Sequence, residues 1–160
     1  MKNHQKTQFT IYGINNTIAI LESKRFTVSK IDIVRNGRAE KDDYLMHLVS
    51  KLAFQPKFYA KPGFFQKYPE GRTQGIAAVI DGRIAKNELP NYSEKESICL
   101  LALDQIEDPQ NFGQIIRTAE CAGINGIIIP KHHSAPITDT VLQVSQGAFV
   151  NMPLYEVTNL

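Results

Sequence analysis

The chain has 160 residues, 42% of them hydrophobic, and its 18 Lys and Arg against 16 Asp and Glu give a formal net charge of +2. That length admits one domain or two small ones; no apolar run approaches the roughly 20 residues of a membrane span, and the opening MKNHQKTQFT lacks the apolar core of a secretory signal. Cys99 and Cys121 read as free thiols in buried elements of a cytoplasmic protein, and His4, His47, His132 and His133 stand at no metal-ligand spacing with them, so no metal is expected.

Charge divides the chain. Residues 1–97 hold 16 Lys and Arg against 10 Asp and Glu, a net +6, and residues 98–160 hold 2 against 6, a net −4. Opposite signs indicate two modules. A basic module suits a polyanionic partner such as RNA, although a solvated lysine-rich surface would carry the same charge.

Phe9 to Tyr12 suits a short strand. After Gly13, a helix capped by Asn15 or Asn16 runs to about Ser23, with Ile18, Ile20 and Leu21 apolar. Lys30 to Val34 alternates polar and apolar residues, which predicts a half-buried strand. Asn36-Gly37 is a turn, and residues 40–53 form a helix with Leu45, Leu48, Val49 and Leu52 on one face. Lys57 to Ala60 is a strand, Pro62-Gly63 turns into a short helix around Phe64 and Phe65, Gly71 and Gly75 bracket a loop, and Ile76 to Ile80 is a buried strand. This alternation describes a small α/β domain over residues 1–82. Residues 83–97 are charged, aperiodic and contain Pro90, and read as a linker.

The second module, residues 98–160, opens with the apolar run 98–104 as a strand. Asp108 can cap a helix, with Pro109 at its first position. Phe112, Ile115, Ile116, Ala119 and Ala122 recur at helical spacing, and Gly123 fits a left-handed stop. Gly126 to Pro130 is a second strand, so the unit is βαβ with parallel strands and a right-handed crossover. Ligands of such units gather at the carboxyl ends of the strands. This places Asp104, Asp108, Asn111 and the first helical turn at the working edge. A loop (131–136), a helix capped by Thr138 or Asp139, and a third strand (153–157) follow; Thr158-Asn159 reads as the cap of another helix.

The stretch DPQNFGQIIRTAECAG (108–123) resembles the first motif, D-P-x-N-x-G…R-T-A-x-x-x-G, of the SpoU/TrmH family of RNA ribose 2′-O-methyltransferases. Ser145-Gln146-Gly147-Ala148 is similar to that family's S-x-G-A segment. I-Y-G near the start and Gln74-Gly75-Ile76 resemble its ribosomal-protein-like substrate domain, with Thr73 where the family often has His. The resemblance implies an α/β protein: a small N-terminal RNA substrate-binding domain, then the first part of a parallel-sheet SPOUT methyltransferase domain, truncated before its knot. It also implies S-adenosylmethionine as cofactor, with its site mostly in a C-terminal part that this chain lacks. RNA, of the 23S ribosomal class, is the implied partner, and the full-length form is expected to be a homodimer. The alternative is a truncated, non-catalytic RNA-binding remnant.

Ribose methylation requires aligning a poorly nucleophilic hydroxyl and removing its proton. The Asn111 amide can donate to and accept from a ribose hydroxyl or a phosphate, or can instead serve as a second helix cap. Arg117, off the apolar stripe, reads as a surface residue paired with Glu120. The resemblance makes Asn111, Arg117 and Glu120 catalytic, with Glu120 orienting Arg117. Gly113 would let a ligand or a facing backbone approach the helix. Arg72 and Gln74, in the glycine-bracketed loop, and Lys131, beside His132 and His133, are candidate RNA contacts.

Overall fold

A computed structural model describes residues 7–68, 73–93 and 97–160 of the chain. The backbone divides into two compact units, Gln8–Gly82 and one built on Arg83–Leu160. The expected positions Arg72 and Gly71 lie outside the described residues.

The N-terminal unit carries strands β1 (Gln8–Tyr12), β2 (Thr27–Val34), β3 (Lys57–Tyr59) and β4 (Ile76–Asp81) and helices α1 (Ile14–Ser23), α2 (Asp43–Ser50) and α3 (Lys61–Lys67). The sheet order is β1-β4-β2-β3; β4 runs antiparallel to both neighbours and β3 parallel to β2. Side chains alternate between the faces. Ile31, Ile33, Ile76 and Ala78 form a core with Ile14 of α1 and Leu45 and Val49 of α2. On the other face Val34 and Ala77 pack with Phe64 and Tyr68 on and beside α3.

Several boundaries differ from the sequence reading for local reasons. Helix α1 is capped by Gly13, not by Asn15 or Asn16: Gly13 sits at φ 92° and ψ 152°, which favours glycine. Asn16 is buried inside the helix and donates to the Tyr12 carbonyl at 2.8 Å. Helix α2 is shorter than residues 40–53, because Asp42 accepts from Leu45 N at 2.9 Å and fixes the start. Pro62 and Gly63 lie within the first turn of α3, where a missing N–H costs nothing.

The second unit contains β5 (Ala85–Lys86), β6 (Leu100–Ala102), α4 (Pro109–Cys121), β7 (Gly126–Pro130), α5 (Asp139–Val144), a 3-10 turn (Ala148–Val150) and β8 (Leu154–Val157). Its four strands are all parallel in the order β5-β8-β7-β6. The expected linker is therefore not wholly irregular. Ala85 and Lys86 pair with Leu154 and Tyr155, and Ile84 and Ala85 are buried. Two apolar residues among charges suffice for an edge strand but give no readable period. Both cysteines are exposed, not buried. Cys99 precedes β6, and Cys121 ends α4 off the face that buries Phe112, Ile116 and Ala119. No helix among the described residues is long and apolar enough to cross a membrane.

Candidate functional site on the first helix of the parallel sheet

Strand β6 ends at Ala102, and Leu103 continues its ladder by donating to the Ile128 carbonyl at 2.9 Å. The chain then turns through Gln105, at φ 54°, into α4. Asp108 is the cap: its Oδ1 accepts from Gln110 N at 2.6 Å, and Pro109 follows at the first helical position. That assignment frees Asn111. Its side chain is exposed in the first turn, and no described residue hydrogen bonds its amide. The carboxyl end of β6 thus presents a polar group that can both donate and accept.

Arg117 follows six residues later, about 9 Å down the helix and about 120° around it. It is exposed, and among the described residues it has no hydrogen-bond or ion-pair partner. The expected pairing with Glu120 is absent. Glu120 Oε1 instead accepts from Asn151 Nδ2 at 3.3 Å, and the Cys121 thiol lies 3.9 Å from Glu120 Oε2. An i,i+3 ion pair on an exposed helix is worth only a few tenths of a kcal/mol. The turn that brings Asn151 against α4 captures the carboxylate instead. Glu120 therefore does not orient Arg117 in this structure.

Gly113 serves a facing helix. A Cβ there would lie 2.6 Å from Val144 Cβ and 2.8 Å from the Val141 carbonyl oxygen, so α4 and α5 touch through this position. Close packing with Phe112 and Ile116 buried leaves the flanks of α4, with Asn111 and Arg117, toward solvent.

At the end of β7, Lys131 donates its backbone N–H to the Val157 carbonyl, and its side chain is exposed. His132 and His133 are exposed beside it, His133 at φ 57°. Ser134 Oγ donates to the Pro130 carbonyl at 2.6 Å, and buried Ala135 donates to the Ile106 carbonyl at 2.7 Å. The loops after β6 and β7 are thereby tied to each other. Asn111 and Lys131 both belong to the carboxyl edge of one sheet, while Arg117 lies further along the helix.

Gln74 belongs to the N-terminal unit and is committed to its fold. At φ 51°, it accepts from Ile14 N at 2.8 Å and satisfies the first free donor of α1. The I-Y-G and Q-G-I segments therefore form one joint, which gives the pair a structural meaning. Thr73, in the position expected for His, is buried, 3.4 Å from Gly75 N through its hydroxyl.

Sequence reasoning missed a polar cluster in this unit. Asp32, read as a solvent-facing residue of an alternating strand, is fully buried. Its Oδ2 accepts from Tyr68 OH at 2.6 Å and Lys67 Nζ at 2.7 Å, and Lys30 Nζ lies 3.0 Å away. Burial alone would raise this carboxyl, but the hydrogen bonds from Lys67, Tyr68 and Lys30 more than offset it and hold it below its ordinary value. Tyr68 is pushed up to about 12 by burial and by its bond to Asp32. Lys67 is raised, chiefly by the same carboxylate. The sequence offered no signal for this cluster, because Lys67 and Tyr68 reach Asp32 only once α3 has folded over the sheet. Among the described residues no group of three or more His, Cys, Asp and Glu could hold a metal ion.

Residues 99–160 match the SpoU rRNA Methylase family. All of the chain aligns at 29% identity with 65% of an uncharacterized tRNA/rRNA methyltransferase homolog from Mycoplasma pneumoniae. At the same identity, 97% of it aligns with 64% of the 23S rRNA (guanosine-2'-O-)-methyltransferase of Shewanella oneidensis. The SpoU methyltransferase AviRb of Streptomyces viridochromogenes, solved in complex with AdoMet, superposes with a TM-score of 0.75 at 21% identity. That match covers 96% of this chain and 55% of AviRb, and it establishes a shared fold. The chain spans about two thirds of these sequence relatives and about half of the solved structure.

Proposed function

We propose that this chain, which belongs to the SpoU/TrmH family of RNA methyltransferases through residues 99–160, presents RNA for methyl transfer from S-adenosylmethionine to a ribose 2′-hydroxyl. Ribosomal RNA of the 23S class is the proposed substrate, by analogy with the Shewanella relative. The observation that carries the reading is the β6–α4 junction. Asp108 takes the capping role there, which leaves the Asn111 amide unspent at the sheet's carboxyl edge, with the Arg117 guanidinium exposed on the same helix.

In this reading Asn111 orients the ribose by hydrogen bonding its hydroxyls. The Arg117 guanidinium acts as a cation and not as a base. It binds the neighbouring phosphate and stabilises charge developing on the ribose oxygen. Lys131 adds a phosphate contact at the end of β7. Glu120, held by Asn151, stiffens the helix end without touching substrate.

S-adenosylmethionine supplies an electrophilic methyl group carried on sulfur. The described residues form no cradle for it by themselves. Ala135 and Ile106 close the loops after β6 and β7 onto each other. The buried side-chain oxygens left without partners, on Asn16 and Asp32, both belong to the N-terminal unit. The same observation favours a second reading, in which residues 1–160 alone bind RNA without catalysing transfer. A homodimer through the parallel-sheet unit belongs to the first reading and is checked by sedimentation.

The test is a chimera in which residues 1–160 replace the matching part of the Shewanella oneidensis relative, assayed for transfer of labelled methyl to 23S rRNA. Transfer that falls at least a hundredfold with Asn111→Ala or Arg117→Ala supports the reading, a loss of the order seen for removed transition-state donors. Undiminished transfer by both variants overturns it.

A further inference from the structure

The N-terminal sheet is covered unequally. Helices α1 and α2 close one face over the Ile31, Ile33 and Ala78 core. Among the described residues of this unit, the other face carries only the seven-residue α3. Cross-strand pairing fixes what this second face displays. Tyr12, Ala77, Asp32 and Lys57 stand in one row across β1, β4, β2 and β3, and Thr10, Val79 and Lys30 stand in the next. Tyr12, Tyr59, Thr10 and Val79 remain partly exposed, and Lys57, Lys61 and Lys67 are exposed.

We propose that this face, through Tyr12, Tyr59, Lys30, Lys57, Lys61 and Lys67, docks an unpaired stretch of RNA. The inference rests on the reading above that the N-terminal unit binds RNA, and it assigns that binding to the sheet face that carries α3. Three observations carry it. Aromatic rings alternate with ammonium groups, the combination that holds single strands by base stacking and phosphate attraction. Tyr59 lies under Lys67, with Nζ 5.5 Å from the ring centroid, and meets Phe64 edge-on at 6.5 Å, so its plane is held.

The second observation is that two of the cations are pre-positioned. Asp32 holds Lys67 at 2.7 Å and Lys30 at 3.0 Å from one oxygen, while the side chains of both lysines remain 41% and 35% exposed. One carboxylate against two ammonium groups leaves a net positive charge fixed at the surface. The third is that Lys57, in register with Asp32 on the neighbouring strand, is exposed and has no hydrogen-bond or ion-pair partner among the described residues. The acid at the far end of the face, Asp81, is bonded to Gln8 at 2.9 Å.

The test measures binding of a single-stranded 12-nucleotide RNA and of a duplex of equal length to the whole chain, by fluorescence anisotropy across a salt series. Lys57→Gln with Lys61→Gln is expected to reduce the log–log salt slope by about 1.4, or about 0.7 per lost phosphate contact on a single strand. Tyr59→Leu is expected to weaken single-strand binding about tenfold, the effect of one lost stacking contact, and to leave duplex binding unchanged. The control pair Lys41→Gln with Lys51→Gln removes equal charge from the flanks of α2 and is expected to alter neither. Equal losses from both lysine pairs would reduce the effect to diffuse charge and overturn the proposal. So would unchanged binding by the Lys57 and Lys61 variant, which keeps the aromatic core intact. A concentration-dependent dimer abolished by Tyr59→Leu would assign the face to a second copy of the chain instead. If the unaltered chain shows no salt-dependent RNA binding, the RNA reading of the N-terminal unit falls, and this proposal falls with it.

Discussion

The same substitution, glycine to alanine inside a helix, should have opposite effects at two positions of this chain. Alanine is favoured over glycine in a helix interior by about 1 kcal/mol. At Gly63, in the first turn of α3, nothing lies within 4 Å of an added Cβ, so Gly63→Ala should deliver part of that gain. At Gly113 in α4 the new methyl would meet Val144 Cβ at 2.6 Å, the Val141 carbonyl oxygen at 2.8 Å and Val144 Cγ1 at 2.9 Å. One of these neighbours is backbone, so α4 must move away from α5. Overpacking of this kind costs about 1–3 kcal/mol, which outweighs the propensity gain. Gly113→Ala should therefore be destabilising by about 1 kcal/mol, lowering the transition of the parallel-sheet unit by about 4–8 °C. Each unit's transition can be followed by urea or thermal denaturation with residue-resolved NMR. Stabilisation by Gly113→Ala comparable to that by Gly63→Ala would refute the claim that α4 and α5 are locked through Gly113. It would return Gly113 to the role of a residue that lets a ligand approach.

The Asp32 cluster predicts a pH profile for the N-terminal unit. Asp32 is lowered in the fold, so its stabilisation is present above its unfolded value near 4 and is lost as pH falls through the folded one. Tyr68 is raised to about 12, so its stabilisation holds below about 10 and is lost between about 10 and 12; urea midpoints across pH measure both limbs. Tyr68→Phe should cost about 2 kcal/mol, the worth of a hydrogen bond to a charged group, and should remove the tyrosine contribution to the alkaline limb. An unchanged profile would contradict it. Gln74→Ala removes the acceptor for Ile14 N and should cost about 1 kcal/mol, the size of a lost helix cap, read as faster amide exchange at Ile14. Asn151→Ala frees Glu120 and, in the chimera, should leave methyl transfer within about threefold, since the Glu120–Asn151 contact involves no group assigned to substrate.

The parallel-sheet unit was legible because its signals are local and agree with each other. Asp108, Pro109 and Gly123 punctuate α4 as their chemistry dictates, and the observed cap, first position and left-handed stop, at φ 74°, fall on those residues. The apolar runs flanking the helix became β6 and β7. What failed there depends on distant partners. Glu120 and Arg117 are three residues apart on one helix, yet the carboxylate is taken by Asn151, thirty-one residues away. Ala85 and Lys86 form a strand only because β8 offers an edge. The apolar neighbours of Cys99 and Cys121 point both to the interior, yet each sits just where its element meets solvent.

The N-terminal unit shows a sharper limit. Lys30 and Asp32 alternate with Ile31 and Ile33, and period-two alternation normally separates core from water. Here both faces are covered, one of them by the short helix α3, so the polar half of the alternation is buried at Asp32 and half-exposed at Lys30. A charge in that position is tolerable only with partners, since an isolated buried carboxylate would neutralise or unfold the site. Those partners come from Lys67 and Tyr68, at the far end of the helix KPGFFQK, and nothing in that local pattern points back to Asp32. Asp32 thus couples the placement of α3 to the charge of the sheet. Asp32→Asn should therefore loosen α3 and release Lys30 and Lys67 together, visible as faster amide exchange at Phe64 and Tyr68. Unaltered exchange at those two amides would mean that Phe64 packing alone holds the helix and that the carboxylate has no structural hold on the lysines.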